Sequence, residues 1–197
     1  KPVNEEHIDF LNSWIVKFVF NKNLCELTEV HRFNESKLLQ DAHTCANGGS
    51  IEFSDYTQEE HDLCICWTNS AVNALNQKWN KHYAKGKQIE VIGHKQSKFI
   101  LHKDLRIMAY TNNKQFYNSE DFIVKTFNEE TMTLINDTDN SEITVDLKLT
   151  KCFKPMYALT AHKAQGATFN KPYSIYEYKR MKFDMLYVCL TRTSKQE

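Results

Sequence analysis

Apolar residues alternate between helical spacing and short continuous runs along the chain. Apolar positions 8, 11, 15, 18 and 19 predict a first helix, and residues 23–33 predict a strand. A second helix is predicted over Lys37–Ala46, with Asn34 or Ser36 as its cap and Gly48 and Gly49 as its stop. The chain therefore begins with elements of an α/β type.

A strand followed directly by a helix is the clearest local pattern. The stretch "DLCICWTN" is almost wholly apolar, which is typical of a buried parallel strand. It leads into a helix that Gly86 closes, with one apolar face at positions 72, 75, 79 and 83. Strand, turn and helix in this order predict a βα unit of an open α/β sheet.

Residues 88–150 consist of short β-type runs divided by polar turns, and "FNEETMTLI" predicts a hairpin. This pattern predicts a small all-β unit, a barrel. From Tyr157 the α/β pattern returns, with a strand to Thr160, a short helix around Lys163, a strand at 173–178 and a last helix with apolar positions 183, 186 and 190. We therefore expect an α/β domain over 1–87 and 153–197, interrupted by a β insertion over 88–152.

Composition and charge restrict the class of protein. With 197 residues, 41% hydrophobic and 25% charged, the chain is typical of a globular protein, and no apolar run is long enough to cross a bilayer. The net charge is zero, but residues 78–106 carry +6 and residues 119–146 carry −7. This asymmetry suggests a basic surface for a polyanion. Two solvated faces of opposite sign are the alternative, and charge by itself favours that alternative.

The six cysteines form no CxxC pair, and most lie inside apolar runs. We expect reduced, buried thiols in an intracellular protein, with no disulfide framework and no metal site. A cysteine–histidine enzyme has weak support, because no Cys and His pair shows a local context of that kind.

Polar groups collect in the stretch "YALTAHKAQGATF", where a strand ends and a helix begins. That position is the carboxyl edge of a parallel sheet, where α/β folds bind ligands. His162 and Lys163 add donors and positive charge, and Gly166 lets a ligand approach the backbone. A plain strand–helix turn with a solvated lysine is the alternative for this stretch taken by itself.

The same stretch closely resembles motif V of superfamily 1 DNA helicases, in the RecD-like and PIF-type branch that moves 5′ to 3′. "MLYVCLTRTSK" resembles motif VI, "LTEVHRF" resembles motif IV, and "CICWTNSAVNALN" resembles the strand–TN–helix element of that branch. The resemblance implies a RecA-like parallel sheet with helices on both faces (domain 2A), interrupted by an SH3-like β-barrel (domain 2B). Ala164 stands where this branch usually has Ser.

The resemblance also implies roles for individual residues. Arg32 and Arg192 would be arginine fingers for ATP hydrolysis, although a structural salt bridge is a serious alternative for Arg32. Gln165 and Gly166 would lie near the nucleotide. The phosphates of single-stranded DNA would meet Thr68, Asn69, Thr160, His162 and Lys163.

No GxxxxGK[ST] sequence is present, and no adjacent acidic pair ends an apolar strand to hold Mg²⁺. We therefore expect the second lobe of a longer motor, with ATP and Mg²⁺ held mainly by an N-terminal RecA-like lobe. The expected partners are that lobe, single-stranded DNA, and proteins of replication or repair. The expected location is the nucleus or a viral replication site.

Two further hypotheses stay open at this point. The basic stretch 78–106 and the β unit also suit a nucleic-acid-binding module without motor activity, built on a degenerate helicase fold. An RNA-directed relative of the same superfamily is a smaller alternative.

Overall fold

The structure is a computed structural model that describes residues 36–54, 56 and 59–193. The predicted helix at 8–19 and strand at 23–33, with Arg32 and the candidate cap Asn34, lie outside the described residues. Within the described part, no helix is long and apolar enough to cross a membrane.

Four α-helices and ten strands follow one another in the described part of the chain. In chain order they are α1 (Ser36–Ala46), β1 (Cys64–Cys66), α2 (Asn69–Tyr83), β2 (Gln88–Ile92), β3 (Lys98–His102), β4 (Arg106–Ala109), β5 (Asp121–Phe127), β6 (Thr131–Asn136), β7 (Glu142–Asp146), β8 (Phe153–Pro155), β9 (Ala158–Thr160), α3 (Ala161–Ala164), β10 (Ser174–Tyr176) and α4 (Phe183–Leu190). Three short 3₁₀ helices lie at His94–Gln96, Leu147–Cys152 and Tyr178–Arg180.

Strands β1, β9 and β10 form a parallel sheet with β1 in the centre. Ile65 lies opposite Leu159 on one side and Ile175 on the other. All three residues of β1 are buried, which explains why its sequence is apolar without alternation. The prediction of a buried parallel strand followed by a helix is confirmed.

Helix α2 packs its predicted apolar face against this sheet. Val72 and Leu75 are buried with Cys64, Cys66 and Ala158, and the helix ends at Tyr83, three residues before Gly86. Gly86 has φ +69°, a conformation that a glycine adopts without strain. The predicted helix is therefore confirmed, whereas Tyr83, placed by the sequence on its apolar face, is 39% exposed.

Helices α1 and α4 pack against each other. Leu186 and Leu190 share a buried cluster with Leu38 and Cys45 of α1. Phe183, predicted on the same face of α4, is 41% exposed. It is the first residue of α4, and the core on this side is formed by residues of the later turns.

The β unit contains an antiparallel hairpin, β2–β3, and a five-stranded antiparallel sheet in the order β7-β6-β5-β4-β8. The predicted hairpin between β5 and β6 is confirmed, with the Asn128 N–H donating to the Thr131 carbonyl at 2.9 Å. Both β assemblies contribute to one core, a buried cluster that includes Phe99 of the hairpin and Phe122 and Leu134 of the sheet. The last strand of the sheet, β8, continues almost directly into β9.

The run "KFILHKDLRIMAYT" forms two strands, β3 and β4, rather than one. The chain turns between them at Asp104, which has φ +64°. The turn residues Lys103 and Asp104 are exposed, and these two charged residues interrupt the apolar run at the break.

Candidate nucleic-acid and nucleotide site

The three parallel strands end at the same edge of the sheet, and their next residues meet there. Thr68 and His162 lie two residues after the ends of β1 and β9, and Glu177 directly follows β10. The ring centroids of Trp67 and His162 are 6.0 Å apart, and Thr68 is hydrogen-bonded to Glu177. The structure therefore brings together the two segments that the sequence predicts to contact DNA.

Thr68 is the N-cap of α2, and its hydroxyl oxygen accepts from the Ala71 N–H at 3.2 Å. The Thr68 N–H and hydroxyl also donate to one carboxylate oxygen of Glu177, each at 2.9 Å. Asn69, the first residue of α2, is exposed. The donors of Thr68 thus already face a negatively charged oxygen in this structure.

Glu177 is a site residue that the sequence analysis did not single out. Partial burial pushes its pKa upward, but hydrogen bonds from Thr68 and the neighbouring Arg180 outweigh burial and lower the pKa. Its backbone is left-handed, with φ +59°. The sequence feature that could have identified Glu177 is its position directly after the strand "SIY", at the same sheet edge as Thr68.

Helix α3 is a single turn that positions the motif V residues. The Thr160 hydroxyl caps it by accepting from the Lys163 N–H at 3.2 Å. His162 is exposed, whereas Lys163 is half-buried and reaches the β unit, where its ammonium donates to Ser119 Oγ at 2.7 Å. Burial lowers the pKa of Lys163, and Asp121 nearby opposes this effect.

Gln165 and Gly166 form an exposed loop after α3. Gly166 has φ +90°, and a Cβ added there would meet nothing within 4 Å. The glycine is therefore required here by the backbone conformation and not by crowding within the protein.

Arg192 lies directly beside this loop. Its Nη1 donates to the Ala167 carbonyl at 3.3 Å and its Nε donates to the Val188 carbonyl of α4 at 2.8 Å. The Arg192 carbonyl in turn accepts from the Phe169 N–H at 2.7 Å. The structure thus joins the segment that resembles motif VI to the segment that resembles motif V. The convergence of Arg192 with Arg32 stays a prediction, because Arg32 lies outside the described residues.

Two asparagines of α2 hold the surrounding elements in place. Asn76 Oδ1 accepts from the N–H groups of Tyr157 and Ala158, each at 2.9 Å. Asn80 pairs with the backbone of Ile100 in both directions, at 2.7 and 2.8 Å. The signal for them was asparagine at 69, 73, 76 and 80, close to helical spacing, which the sequence analysis did not use.

The donors around Arg192 fit a phosphate better than a metal ion. A guanidinium, an exposed glutamine and a left-handed glycine turn offer N–H groups to an anion. Within the described ranges, no group of three His, Cys, Asp or Glu residues could hold a metal ion. These residues therefore suit an anion such as a phosphate group.

No family model and no curated protein matches the sequence. Solved structures do match. A structure of Pif1 helicases at forked double-stranded DNA is 20% identical to this chain and has a TM-score of 0.67. The matched region covers 87% of this chain and 48% of the Pif1 chain. Bacteroides Pif1 bound to single-stranded DNA is 18% identical to this chain and has a TM-score of 0.65. The matched region covers 95% of this chain and 54% of the Bacteroides chain. The fold is that of Pif1 helicases.

A Pif1 helicase from Candida albicans also matches, at 12% identity with a TM-score of 0.62. The matched region covers 81% of this chain and 52% of the Candida chain. The chain thus spans about half the length of the Pif1 structures it matches. The PIF-type resemblance of the sequence is confirmed at the level of the Pif1 fold. At these identities the likeness does not assign individual residues.

Proposed function

We propose that this chain is the C-terminal motor lobe of an ATP-dependent 5′–3′ DNA helicase. The observation that carries the proposal is the contact between Arg192 and the Gln165–Ala167 loop, beside a sheet edge where both predicted DNA-contacting segments meet. On the boundaries expected from the sequence, domain 2A would comprise 1–87 and 153–197, and 88–152 would be the SH3-like domain 2B. Strand β8 (Phe153–Pro155) pairs with β4 and extends the sheet of the β unit past residue 152. Matched Pif1 structures with single-stranded DNA, one of them also with ADP-AlF₃, support this proposal.

On the nucleotide side, Arg192, Gln165 and Gly166 would hold the phosphates of ATP, and Arg32 would supply a second guanidinium. ATP supplies the phosphoryl group, and Mg²⁺ would be bound mainly by an N-terminal lobe. A guanidinium suits this role because it is always charged and can donate two parallel N–H bonds to one phosphate. Arg192 would exchange part of its carbonyl contacts for those bonds.

On the DNA side, the strand-end residues would contact successive phosphates of one strand. Their hydroxyl, amide and cationic groups donate to phosphate oxygens without reading base identity, which a translocating motor requires. They are Thr68, Asn69, Thr160, His162 and Lys163. Replication or repair proteins would be the further partners of the motor.

The decisive substitution is Arg192→Ala in a helicase polypeptide that carries this chain together with a P-loop lobe. We expect DNA-stimulated ATP hydrolysis to fall by about 10³-fold or more, because an arginine finger contributes on this scale. Affinity for single-stranded DNA, measured by fluorescence anisotropy, should stay within about twofold.

Two controls sharpen this test. Arg192→Lys keeps the charge but loses the planar fork, so it should lose most of the activity as well. Arg106→Ala removes an arginine that pairs with Asp137 in the β unit and should keep normal turnover. Normal hydrolysis by Arg192→Ala would refute the finger role.

A nucleic-acid-binding module without motor activity is the second candidate. The charge of +6 over residues 78–106 favours it. DNA binding together with an absence of DNA-stimulated hydrolysis in the complete polypeptide would decide for this candidate.

A further inference from the structure

Three lysines converge where the β unit meets the parallel sheet. The ammonium groups of Lys163 and Lys154 lie 4.8 and 5.4 Å from the ring centroid of Tyr110. His94 stacks on the same ring, with centroids 5.1 Å apart, and Lys95 is its neighbour in the chain. The charges belong to β8, α3 and the β2–β3 connection, so the tertiary fold assembles them from distant parts of the sequence.

These cations form no ion pair within the part of the chain that the structure describes, although the carboxylate of Asp121 lies close enough to Lys163 to favour its charged form. No carboxylate lies within ion-pair distance of Lys95, Lys154 or Lys163 there. Lys154 donates only a long hydrogen bond, 3.4 Å, to Asn73. Burial lowers the pKa of Lys154, and the charge of Lys95 lowers it further. Clustered, partly desolvated cations cost free energy that a bound anion would recover.

A groove with a volume of about 440 Å³ lies beside the cluster. It runs between the N-terminal half of α2 and the β2–β3 connection, and its polar lining includes Asn69, Asn73, Gln77, Lys95, Lys98 and Lys154. We call it the α2–β3 groove. Asn69 belongs to the predicted DNA contacts, and Lys154 shares the Tyr110 ring with Lys163, so the groove is continuous with the sheet edge.

The turn that carries Lys95 is held firmly. Lys95 and Gln96 have left-handed backbones with φ +54° and +61°, and the Gly93 N–H donates to the Ser97 carbonyl at 2.6 Å. A Cβ on Gly93 would lie 2.8 Å from the Phe153 carbonyl oxygen. This close packing fixes the turn on β8, the strand that carries Lys154.

We propose that the α2–β3 groove binds the phosphate backbone of a single-stranded nucleic acid, with Lys95 and Lys154 each contacting a phosphate. Asn73 and Gln77 line the same groove with amide groups that donate to sugar or phosphate oxygens. The site extends the track at the sheet edge onto the β unit, and in this it rests on the proposed function. A row of cations and amides along an open groove suits a polymer better than one small anion.

The test compares oligothymidylates of about 20 and about 6 nucleotides, because only the longer strand would reach beyond the sheet edge. Binding to the complete chain is measured by fluorescence anisotropy across a range of salt concentrations. For the double variant Lys95→Gln/Lys154→Gln we expect about tenfold weaker binding of the long strand and a log–log salt slope reduced by about 1.4, since each phosphate contact contributes about 0.7. Affinity for the short strand should stay unchanged.

The matched control is Lys87→Gln/Lys125→Gln, which removes the same charge elsewhere. Lys87 lies next to β2 at the end away from the β2–β3 connection, and Lys125 pairs with Glu142. Equal affinities and slopes for the two double variants would overturn the proposal, as would an equal loss for both strand lengths. Restored long-strand binding in Lys95→Arg/Lys154→Arg would support it.

Failure of this inference is distinguishable from failure of the proposed function. If Lys163→Gln weakens binding of both strands while Lys95→Gln/Lys154→Gln has no effect, the sheet-edge track stands and the groove does not. If the unaltered chain binds neither strand, both proposals fail together.

Discussion

At the scale of single residues, two side chains of opposite charge belong to the candidate site. Arg192 donates a hydrogen bond to the Ala167 carbonyl in the loop after α3, and the Glu177 carboxylate accepts a hydrogen bond from the Thr68 hydroxyl. The guanidinium of Arg192 would attract a phosphate, and the carboxylate of Glu177 would repel it. The balance between them determines how the sheet edge treats a polyanion.

Glu177→Gln tests this balance. We expect single-stranded DNA to bind about fivefold more tightly, because a phosphate near Thr68 would no longer meet a carboxylate, a repulsion of about 1 kcal/mol at a solvated surface. Fluorescence anisotropy at fixed salt measures the change. Glu60→Gln, which removes an exposed carboxylate paired with Lys78, is the control and should leave affinity unchanged. Weaker binding by Glu177→Gln would show instead that the carboxylate orders Thr68 for DNA.

At the scale of elements, helix α2 connects the two parts of the fold. Its first residues stand at the sheet edge, Asn76 binds the backbone of Tyr157 and Ala158, and Asn80 binds the backbone of β3. A shift of α2 would therefore move the sheet edge and the β unit together.

Asn80→Ala should lower the free energy of unfolding by about 2–3 kcal/mol, because it leaves the N–H and C=O of Ile100 without their side-chain partner. Urea denaturation measures this change. Asn73→Ala on the exposed side of the same helix should stay within about 0.5 kcal/mol of the original chain. Similar costs for both substitutions would contradict a specific role for Asn80.

At the scale of the whole molecule, the junction between β unit and sheet contains a partly buried acid. Asp121 lies at the start of β5, and one of its carboxylate oxygens is buried with no hydrogen-bond partner in the described part of the chain. Burial raises its pKa from an ordinary 3.8 to about 6; Asp137 also raises it, whereas Arg106 and Lys163 lower it. This acid therefore makes the stability of the chain depend on pH.

The folded state binds more protons than the unfolded state between about pH 4 and 6, so this contribution to stability falls as pH rises through that range. Asp121→Asn should consequently raise the melting temperature at pH 7, and the gain should shrink as pH is lowered from 6 towards 4. Thermal unfolding followed by circular dichroism measures it. Asp139→Asn in an exposed turn should show no such growth with pH, and a gain for Asp121→Asn that is independent of pH would refute the assignment.

Much of the described fold was predictable because its signals are local. The apolar run before Thr68, the spacing of Val72 and Leu75, and the glycine at 86 each follow from one stretch of chain. The split between β3 and β4 was missed, although the exposed polar residues Lys103 and Asp104 interrupt the apolar run at that point. Glu177, Asn80 and Lys154 were missed because their roles depend on partners more than 15 residues away.

The sequence alone determined the parallel sheet edge and its candidate residues, because hydrophobic periodicity and the residues at strand ends are properties of neighbouring positions. Only the tertiary structure decided which charges meet. In the folded chain Glu177 is hydrogen-bonded to Thr68, and Arg192 is hydrogen-bonded to the loop after α3. Lys154 and Lys163 both lie over the ring of Tyr110. Such contacts depend on strand order and on packing between distant segments, and these cooperative effects of the folded chain are not contained in any single stretch.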